Sequence, residues 1–300
     1  SHFDLRGKKF PLWVSEQGVG RNKKTHTTFL SDCTEGAGGD YYTTYFPQPT
    51  FVSSDKYFCH VVDSCYMEFN FKNQTYHELQ IWGIPKEIVF AKEDSFVALL
   101  ENLTDLLGRQ PDLPSWVYDG VWIGVQGGTD AVLKRLENAL DNGLKVSAIW
   151  AQDWEGKRVT YFGKRLMWNW ECDKELYPGL DEKIKMLKKR GIKFLGYINP
   201  YLAVEGKLFA EAKDKGYLVK NSLREDYIFD AGAFMIGMVD LTNPEAFKWY
   251  KKVIKRNMIE FGLSGWMADF GEYLPTDAVL YNGVSAEKMH NMWPMLWSKC

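Results

Sequence analysis

The pattern of hydrophobic positions changes near residue 110. Before that point, short runs of aromatic and β-branched residues, such as 57–62 (YFCHVV) and 65–71 (CYMEFNF), are separated by Gly, Asn, Asp and Ser. This pattern is typical of antiparallel strands joined by turns. A helix is predicted over 96–107, and the stretch 110–114 (QPDLP) then punctuates the chain. We therefore predict that residues 1–110 form part of a β-sandwich domain.

Beyond this boundary, apolar runs alternate with amphipathic helical segments. The apolar runs predict strands over 121–125, 145–150, 194–198, 238–241 and 265–270. Thr129 is predicted to cap one of the intervening helices, and Thr242 or Asn243, followed by Pro244, is predicted to cap another. A last helix is predicted over 285–297. Repeated strand–helix units imply an α/β fold with a parallel sheet.

Polar residues at the carboxyl ends of the predicted strands favour one α/β architecture. They are Gln126, Gln152, Asp153, Asn199, Asp240, Asp269 and Glu272. Because (β/α)8 TIM barrels carry their active sites at that end, we expect a barrel over residues 111–300 rather than a doubly wound sheet. Only four or five strand–helix units are present, so the barrel looks truncated at Cys300. The start at Ser1 looks internal, as in a fragment.

Composition and charge exclude several classes of function. The chain has 300 residues, 45% of them hydrophobic and 25% charged, and a formal net charge of -2. No global field therefore attracts nucleic acid or an anionic membrane, and no apolar run approaches the ~20 residues of a membrane helix.

The cysteines form no recognisable motif. They are Cys33, Cys59, Cys65, Cys172 and Cys300. They are scattered and do not cluster with the histidines, so we expect free thiols in a reducing, cytoplasmic compartment and no metal site. No cofactor is expected either.

The chemistry of the strand ends suits a sugar. Carboxylates and amides together supply the donors and acceptors that sugar hydroxyls need, and aromatic faces pack against sugar rings. Trp122, Trp150, Trp154, Trp168 and Trp266 are among the tryptophans near these ends. Taken singly, an aspartate at a strand end is more often a helix cap, and a tryptophan more often fills the core.

Several motifs together resemble glycoside hydrolase family 31. They are WMADFGE at 266–272, VYDG at 117–120, AQDWEG at 151–156, KRLMWNW at 164–170, YINPY at 197–201, MHN at 289–291, FPLW at 10–13 and GGDYY at 38–42. The resemblance covers essentially the whole chain. It implies a β-sandwich followed by a (β/α)8 barrel, and hydrolysis of α-glycosides with retention of configuration. It also implies that Asp269 is the catalytic nucleophile.

Within the family, the chain resembles the sulfoquinovosidase subgroup. Arg165 and Trp168 match the residues that hold a sulfonate at C6 there, and Gln126 and Gln152 match glutamines that bind sugar hydroxyls. A guanidinium fork and an indole N–H suit an anion with three acceptor oxygens. Neutral amides, where ordinary family members tend to carry acidic residues, avoid repelling such a substrate. The expected partner is thus a small sulfonated glycoside.

One catalytic residue of the family, its general acid/base, has no match among these motifs. The family's acid/base is an aspartate downstream of MHN at 289–291, beyond Cys300. Glu272 lies too close in sequence to Asp269 for that role, and we expect it to support the active site by hydrogen bonding.

Three interpretations stay open from the sequence. The first is a retaining hydrolase of α-sulfoquinovosides such as sulfoquinovosyl glycerol, acting by double displacement. The second is a family-31 α-glucosidase or α-xylosidase. The third is a non-catalytic carbohydrate-binding fragment. Whether the protein forms a homo-oligomer is left open.

Overall fold

The computed structural model describes residues 3–14, 42, 44, 46–161, 163–231 and 233–300. Cys33 and residues 38–41 of the GGDYY motif lie outside them. The chain divides into two compact units. The β unit comprises Ser1–Asp112, Glu272–Asp277 and Val284–Trp293. The α/β unit comprises Leu113–Gly271, Ala278–Gly283 and Pro294–Cys300.

The β unit contains two antiparallel three-stranded sheets, with strand orders β1-β4-β5 and β2-β3-β6. Their strands are β1 (Lys9–Leu12), β2 (Thr50–Val52), β3 (Tyr57–Val61), β4 (Met67–Asn70), β5 (Glu78–Ile81) and β6 (Ile88–Lys92). Along β4, buried and half-buried residues alternate, as expected for a strand with one face in the core.

Both sheets contribute to one hydrophobic cluster in the β unit. Its buried members are Leu12, Phe51, Cys59, Val61, Cys65, Met67, Phe69 and Phe71. The helix Phe96–Leu107, which the sequence predicts, packs Leu99 and Leu103 against Phe58 in a second cluster. Its first turn is capped by the Ser95 side chain, which accepts a hydrogen bond from the Ala98 N–H.

The α/β unit is built on a four-stranded parallel sheet with the order β15-β11-β8-β7. The strands are β7 (Val121–Gly124), β8 (Val146–Trp150), β11 (Lys193–Ile198) and β15 (Gly265–Ala268). The parallel α/β prediction is confirmed for this unit. Because neighbouring parallel strands run the same way, the residues that follow them share one edge of the sheet.

Short antiparallel strands connect the parallel ones. They are β9 (Lys157–Thr160), β10 (Gly163–Leu166), β12 (Tyr201–Ala203), β13 (Ile228–Asp230) and β14 (Met235–Met238). The prediction of a parallel strand over 238–241 is wrong, because β14 pairs antiparallel with β12 and β13. Asp240 therefore follows no parallel strand. Its carboxylate instead accepts hydrogen bonds from Thr242 and from the Tyr281 N–H at 2.8 Å.

The remaining elements are helical. They are Ser115–Tyr118 (3-10), Thr129–Asp141, Leu180–Lys189, Lys207–Asp214, Pro244–Ile254, Lys255–Ile259 (π), Ala286–Met289, His290–Met292 (3-10) and Trp293–Lys299. Asn243 caps its helix as predicted, accepting from the N–H groups of Glu245 and Ala246. Within the described ranges, no helix has the length and apolar character needed to cross a membrane.

Two helix predictions are wrong in detail. Thr129 is the first helical residue rather than the cap, because its hydroxyl donates to the Pro178 carbonyl at 3.1 Å and Gly128 occupies the cap position. The helix predicted over 285–297 is broken into three pieces. Pro294 lies in the first turn of the last piece, where its missing N–H is tolerated, but it cannot continue a helix that arrives from before it.

Candidate active site

Asp269 directly follows β15 and is held from several sides. Its N–H donates to the Ile198 carbonyl at 2.9 Å, and its own carbonyl accepts from the Trp297 indole at 3.0 Å. Its Oδ2 accepts from the Tyr197 hydroxyl at 2.7 Å. The chain then turns sharply at Phe270, whose φ is 58°. A half-buried carboxylate with a fixed orientation is what a nucleophile requires.

Tyr197 is the partner that the sequence analysis missed. Its side chain is 1% exposed at the end of β11, and it is the residue that orients the Asp269 carboxylate. Burial, and then the negative charge of Asp269, raise the pKa of Tyr197 far above its ordinary value. The phenol therefore stays protonated and donates to the carboxylate throughout the working pH range.

Replacing Tyr197 by phenylalanine tests this orientation. The change removes one hydrogen bond to a charged acceptor, which is worth about 1.5–3 kcal/mol. We expect kcat/KM of the complete protein to fall about 10- to 100-fold, equally on every substrate that it cleaves.

Tyr250→Phe is the matched control, because the buried Tyr250 hydroxyl donates to the Asn199 carbonyl at 2.5 Å instead. It should lower the melting temperature and leave kcat within about threefold, since a neutral hydrogen bond is worth only about 1 kcal/mol. Unchanged kinetics for Tyr197→Phe would contradict the positioning role.

Gln126 and Gln152 lie together at the same edge of the sheet. The Gln126 amide donates to Gln152 Oε1 at 2.9 Å, joining the loops that follow β7 and β8. In the strand order, β8 lies two strands from β15. At ~4.8 Å per strand, Gln152 and Asp269 are separated by roughly 10 Å of sheet, which a single sugar ring with its substituents can span.

Two other predicted residues at the strand ends hold the loops instead. Asp153 is fully buried, and its carboxylate accepts from Tyr177, from the Gly127 N–H at 2.9 Å and from Lys157 at 2.6 Å. Asn199, also fully buried, accepts from the backbone N–H two residues later. Asp153 and Asn199 therefore differ from Gln126 and Gln152, because their side chains are buried whereas the two glutamines are more exposed.

Arg165 lies on the hairpin of β9 and β10, directly opposite Arg158. Arg158 is fully engaged: it donates to the carbonyls of Leu166 and Met167 and pairs with Glu205. Arg165 differs, because its Nε is buried and has no hydrogen-bond acceptor, and no carboxylate among the described residues pairs with it. Two like charges opposite each other are unfavourable unless an anion compensates them.

Trp168 packs into an aromatic cluster that reaches the residue next to Asp269. Its ring stacks on Tyr201 at a centroid distance of 5.7 Å and lies 5.7 Å from Phe270. Trp168 has φ of 58° and Trp170 has φ of 50°. Left-handed backbone costs a non-glycine residue roughly 1–2 kcal/mol, and such strain concentrates at functional sites.

Glu272 falls in the β unit rather than with Asp269. Its predicted supporting role therefore stays a prediction. Among the described residues, no group of three or more His, Cys, Asp or Glu side chains is placed to hold a metal ion.

Glu155 is a buried carboxyl group that the sequence analysis did not single out. It is 2% exposed, and its Oε2 accepts from the Asn169 N–H at 2.9 Å. Burial raises the pKa of Glu155 from 4.5 to about 8, outweighing the opposing effects of nearby N–H groups and Arg158. At pH 7 the side chain is therefore mostly a neutral acid.

The raised pKa of Glu155 predicts a dependence of stability on pH. Below 4.5 the group is protonated in both the folded and unfolded chains, so its contribution is complete. Between 4.5 and about 8 only the unfolded chain releases the proton, so that contribution is lost as pH rises. Glu155→Gln cannot ionise. The melting temperature of the variant relative to wild type should therefore increase from pH 5 to pH 8.5, and parallel curves would contradict the assignment.

The comparison with protein families gives one clear match. The family profile described as "Glycosyl hydrolases family 31 TIM-barrel domain" matches residues 110–300. This segment contains all the residues discussed at the parallel sheet.

Whole-chain comparisons agree with that match. The chain is 59% identical to the sulfoquinovosidase of Escherichia coli K12 and 50% identical to that of Agrobacterium fabrum, over all 300 residues in both cases. A solved structure of a family-31 sulfoquinovosidase from E. rectale, in complex with the aza-sugar inhibitor IFGSQ, superimposes with a TM-score of 0.91 and 54% identity over the whole chain. The chain spans 44% and 45% of the two curated relatives and 45% of the solved chain.

Proposed function

Because the chain belongs to glycoside hydrolase family 31, we propose that the complete protein is a retaining α-glycosidase that cleaves α-sulfoquinovosides, such as sulfoquinovosyl glycerol. The two curated relatives are both sulfoquinovosidases, which supports this substrate class. No cofactor takes part in the proposed reaction.

One observation carries the proposal: a positive charge without a protein partner. Arg165 faces Arg158 across the hairpin, yet only Arg158 has a carboxylate partner among the described residues. A sulfonate supplies the missing negative charge and the oxygen acceptors for the guanidinium. Trp168, three residues after Arg165, packs in the aromatic cluster against Phe270, the residue that follows Asp269. We assign Arg165 and Trp168 to the sulfonate, and Gln126 and Gln152 to the sugar hydroxyls.

The proposed chemistry is a double displacement at the anomeric carbon. An Asp269 carboxylate oxygen attacks C1 as the bond from C1 to the leaving oxygen breaks, and a general acid protonates that oxygen. Water, deprotonated by the same acid/base residue, then attacks C1 and releases Asp269, so the α configuration is retained. Tyr197 holds Asp269 in the attacking orientation. We assign the acid/base role to an aspartate of the complete protein outside these 300 residues.

The same family membership supports a finer view of the fold. We propose that the four parallel strands belong to a closed (β/α)8 barrel in the complete protein, and that the two antiparallel sheets form part of a β-sandwich. A domain boundary near residue 110 and a cytoplasmic location complete this proposal, and both stay predictions.

Hydrolysis of matched substrates by the complete protein tests the function. The 4-nitrophenyl α-glycosides of sulfoquinovose, glucose and xylose differ only in the substituent at C5, which carries a sulfonate, a hydroxyl or no carbon at all. We expect kcat/KM on the sulfonated glycoside to exceed the other two at least about 100-fold, because a charge-assisted bidentate contact is worth several kcal/mol. The α anomer should be the first product in a proton NMR time course.

Each alternative has its own outcome in this assay. Preference for the glucoside or the xyloside identifies a family-31 enzyme of another specificity. Sugar binding without hydrolysis of any of the three identifies a non-catalytic carbohydrate-binding protein. First release of the β anomer would refute retention.

A further inference from the structure

The turn that carries Trp168 is held by its backbone. On one side, Arg158 donates to the carbonyls of Leu166 and Met167. On the other side, the Asn169 N–H donates to Glu155. The Met167 N–H donates to the Gly156 carbonyl at 3.2 Å, so the start of the segment is tied to the residue next to Glu155. Glu155 and Arg158 thus hold the donors and the acceptors of one short segment.

Such a clamp is needed because the segment adopts an unfavourable conformation. Trp168 and Trp170 both have positive φ, a state that costs a non-glycine residue roughly 1–2 kcal/mol. Glu155 accepts from the N–H of Asn169, which lies between these two left-handed residues, so this part of the strained turn is held before any ligand arrives.

Glu155 is placed where it can act on binding and not only on folding. It follows β8 three residues after Gln152, and the segment that it holds begins directly after Arg165 and Leu166. Removing its acceptor oxygen leaves the half-buried Asn169 N–H without its partner. The turn then relaxes toward right-handed backbone, which moves the Trp168 indole and the end of β10 that carries Arg165.

We propose that Glu155 is a positioning residue that fixes Arg165 and Trp168 for the anionic group of the substrate and thereby sets the preference for a sulfonated sugar. This inference rests on the proposed function. It adds a buried residue, outside the contacts with substrate, on which specificity depends. The acid acts through its acceptor oxygen, so its negative charge is not required; its raised pKa fits that requirement.

The test compares Glu155→Met with Glu155→Gln in the complete protein. Methionine fills the same volume without the acceptor, whereas glutamine keeps an acceptor oxygen and is neutral, like the protonated acid. We expect Glu155→Met to lower kcat/KM on the sulfonated aryl glycoside at least about 30-fold, mainly through KM, and to change the neutral glucoside less than about threefold. Glu155→Gln should restore wild-type values within about threefold on both substrates.

A control variant and a substitute variant complete the test. Glu211→Met is the control, because it removes a carboxylate that accepts a hydrogen bond from the Trp249 indole at 2.8 Å. It should leave the ratio of kcat/KM on the sulfonated and neutral glycosides unchanged. If Glu155→Met does not fold, Glu155→Asp, which withdraws the oxygen by about 1.5 Å, takes its place under the same criteria. Equal losses on both substrates, or no rescue by glutamine, would overturn the positioning role.

The two proposals fail in different ways. If wild-type protein shows no preference for the sulfonated glycoside, the proposed function is wrong. If wild type shows the preference and the variant without the acceptor keeps it, only the inference about Glu155 is wrong.

Discussion

Replacing Arg165 by alanine in the complete protein is expected to reduce kcat/KM on a sulfonated aryl α-glycoside about 100- to 1,000-fold, while the neutral glucoside changes less than about threefold. Among the residues that the structure describes, the buried Nε of the guanidinium has no acceptor, which leaves it for a ligand. In the proposed complex, loss of the guanidinium leaves the negative charge of the sulfonate less compensated in a partly buried site. Arg165→Lys should be intermediate, because an ammonium keeps the charge and loses the planar fork.

Lys164→Ala is the matched control for Arg165. Lys164 is the preceding residue on β10 and is exposed, so the change removes one positive charge from the same strand. We expect kcat/KM of Lys164→Ala on the sulfonated glycoside to change less than about threefold, because an exposed charge contributes little. If Lys164→Ala costs as much as Arg165→Ala, long-range attraction rather than a sulfonate contact explains the specificity. Equal losses on sulfonated and neutral glycosides would also contradict the assignment.

Replacing Asp269 by asparagine should abolish turnover on all substrates, with kcat reduced on the order of 10⁴-fold or more. The amide has nearly the same shape and can still accept from Tyr197, so the fold is preserved while the proposed nucleophile is lost. The melting temperature should therefore stay close to that of wild type, and the KM for sulfonated substrate should change little.

Asp240→Asn is the control for the same change of side chain. The Asp240 carboxylate accepts from the N–H groups of Thr242 and Tyr281, and the proposed chemistry assigns it no role. The Asp240→Asn variant should be less stable than wild type and keep kcat within about threefold, because Asp240 contributes only these hydrogen bonds. If Asp269→Asn retains a tenth of wild-type kcat, Asp269 is not the nucleophile.

Local sequence signals account for much of the fold. The Asn243–Pro244 pair marks a helix start by chemistry that acts within a few residues, and the structure has the cap there. Apolar runs such as Lys193–Ile198 are buried on both faces, which only a covered parallel strand requires. Asp240 shows where this fails. The apolar residues before Asp240 belong to β14, which pairs antiparallel with β12 and β13. A single sequence does not reveal which strands an apolar segment pairs with.

The site was predicted less completely than the fold. Gln126 and Gln152 are joined as their positions at adjacent strand ends indicate, whereas the roles of Asp269, Arg165 and Trp168 rest on the resemblance and stay predictions. Tyr197 and Glu155 lie in the motifs at 197–201 and 151–156, but the sequence assigns neither of them a role. Tyr197 reads as an ordinary strand residue, and its contact with Asp269 spans 72 positions of sequence. Glu155 lies in a polar stretch, so its burial follows only from the packing of a turn whose Asn169 lies 14 residues further along the chain.

Trapping of the covalent intermediate identifies the nucleophile and the bound sugar in one experiment. The complete protein would be treated with a 5-fluoro α-sulfoquinovosyl fluoride, digested, and mapped by mass spectrometry. We expect one sulfonated fluoroglycosyl group per chain on the peptide that contains Asp269, and much slower labelling by the neutral 5-fluoro glucosyl fluoride. A label on any other carboxylate, or equally fast labelling by the neutral reagent, would contradict this expectation.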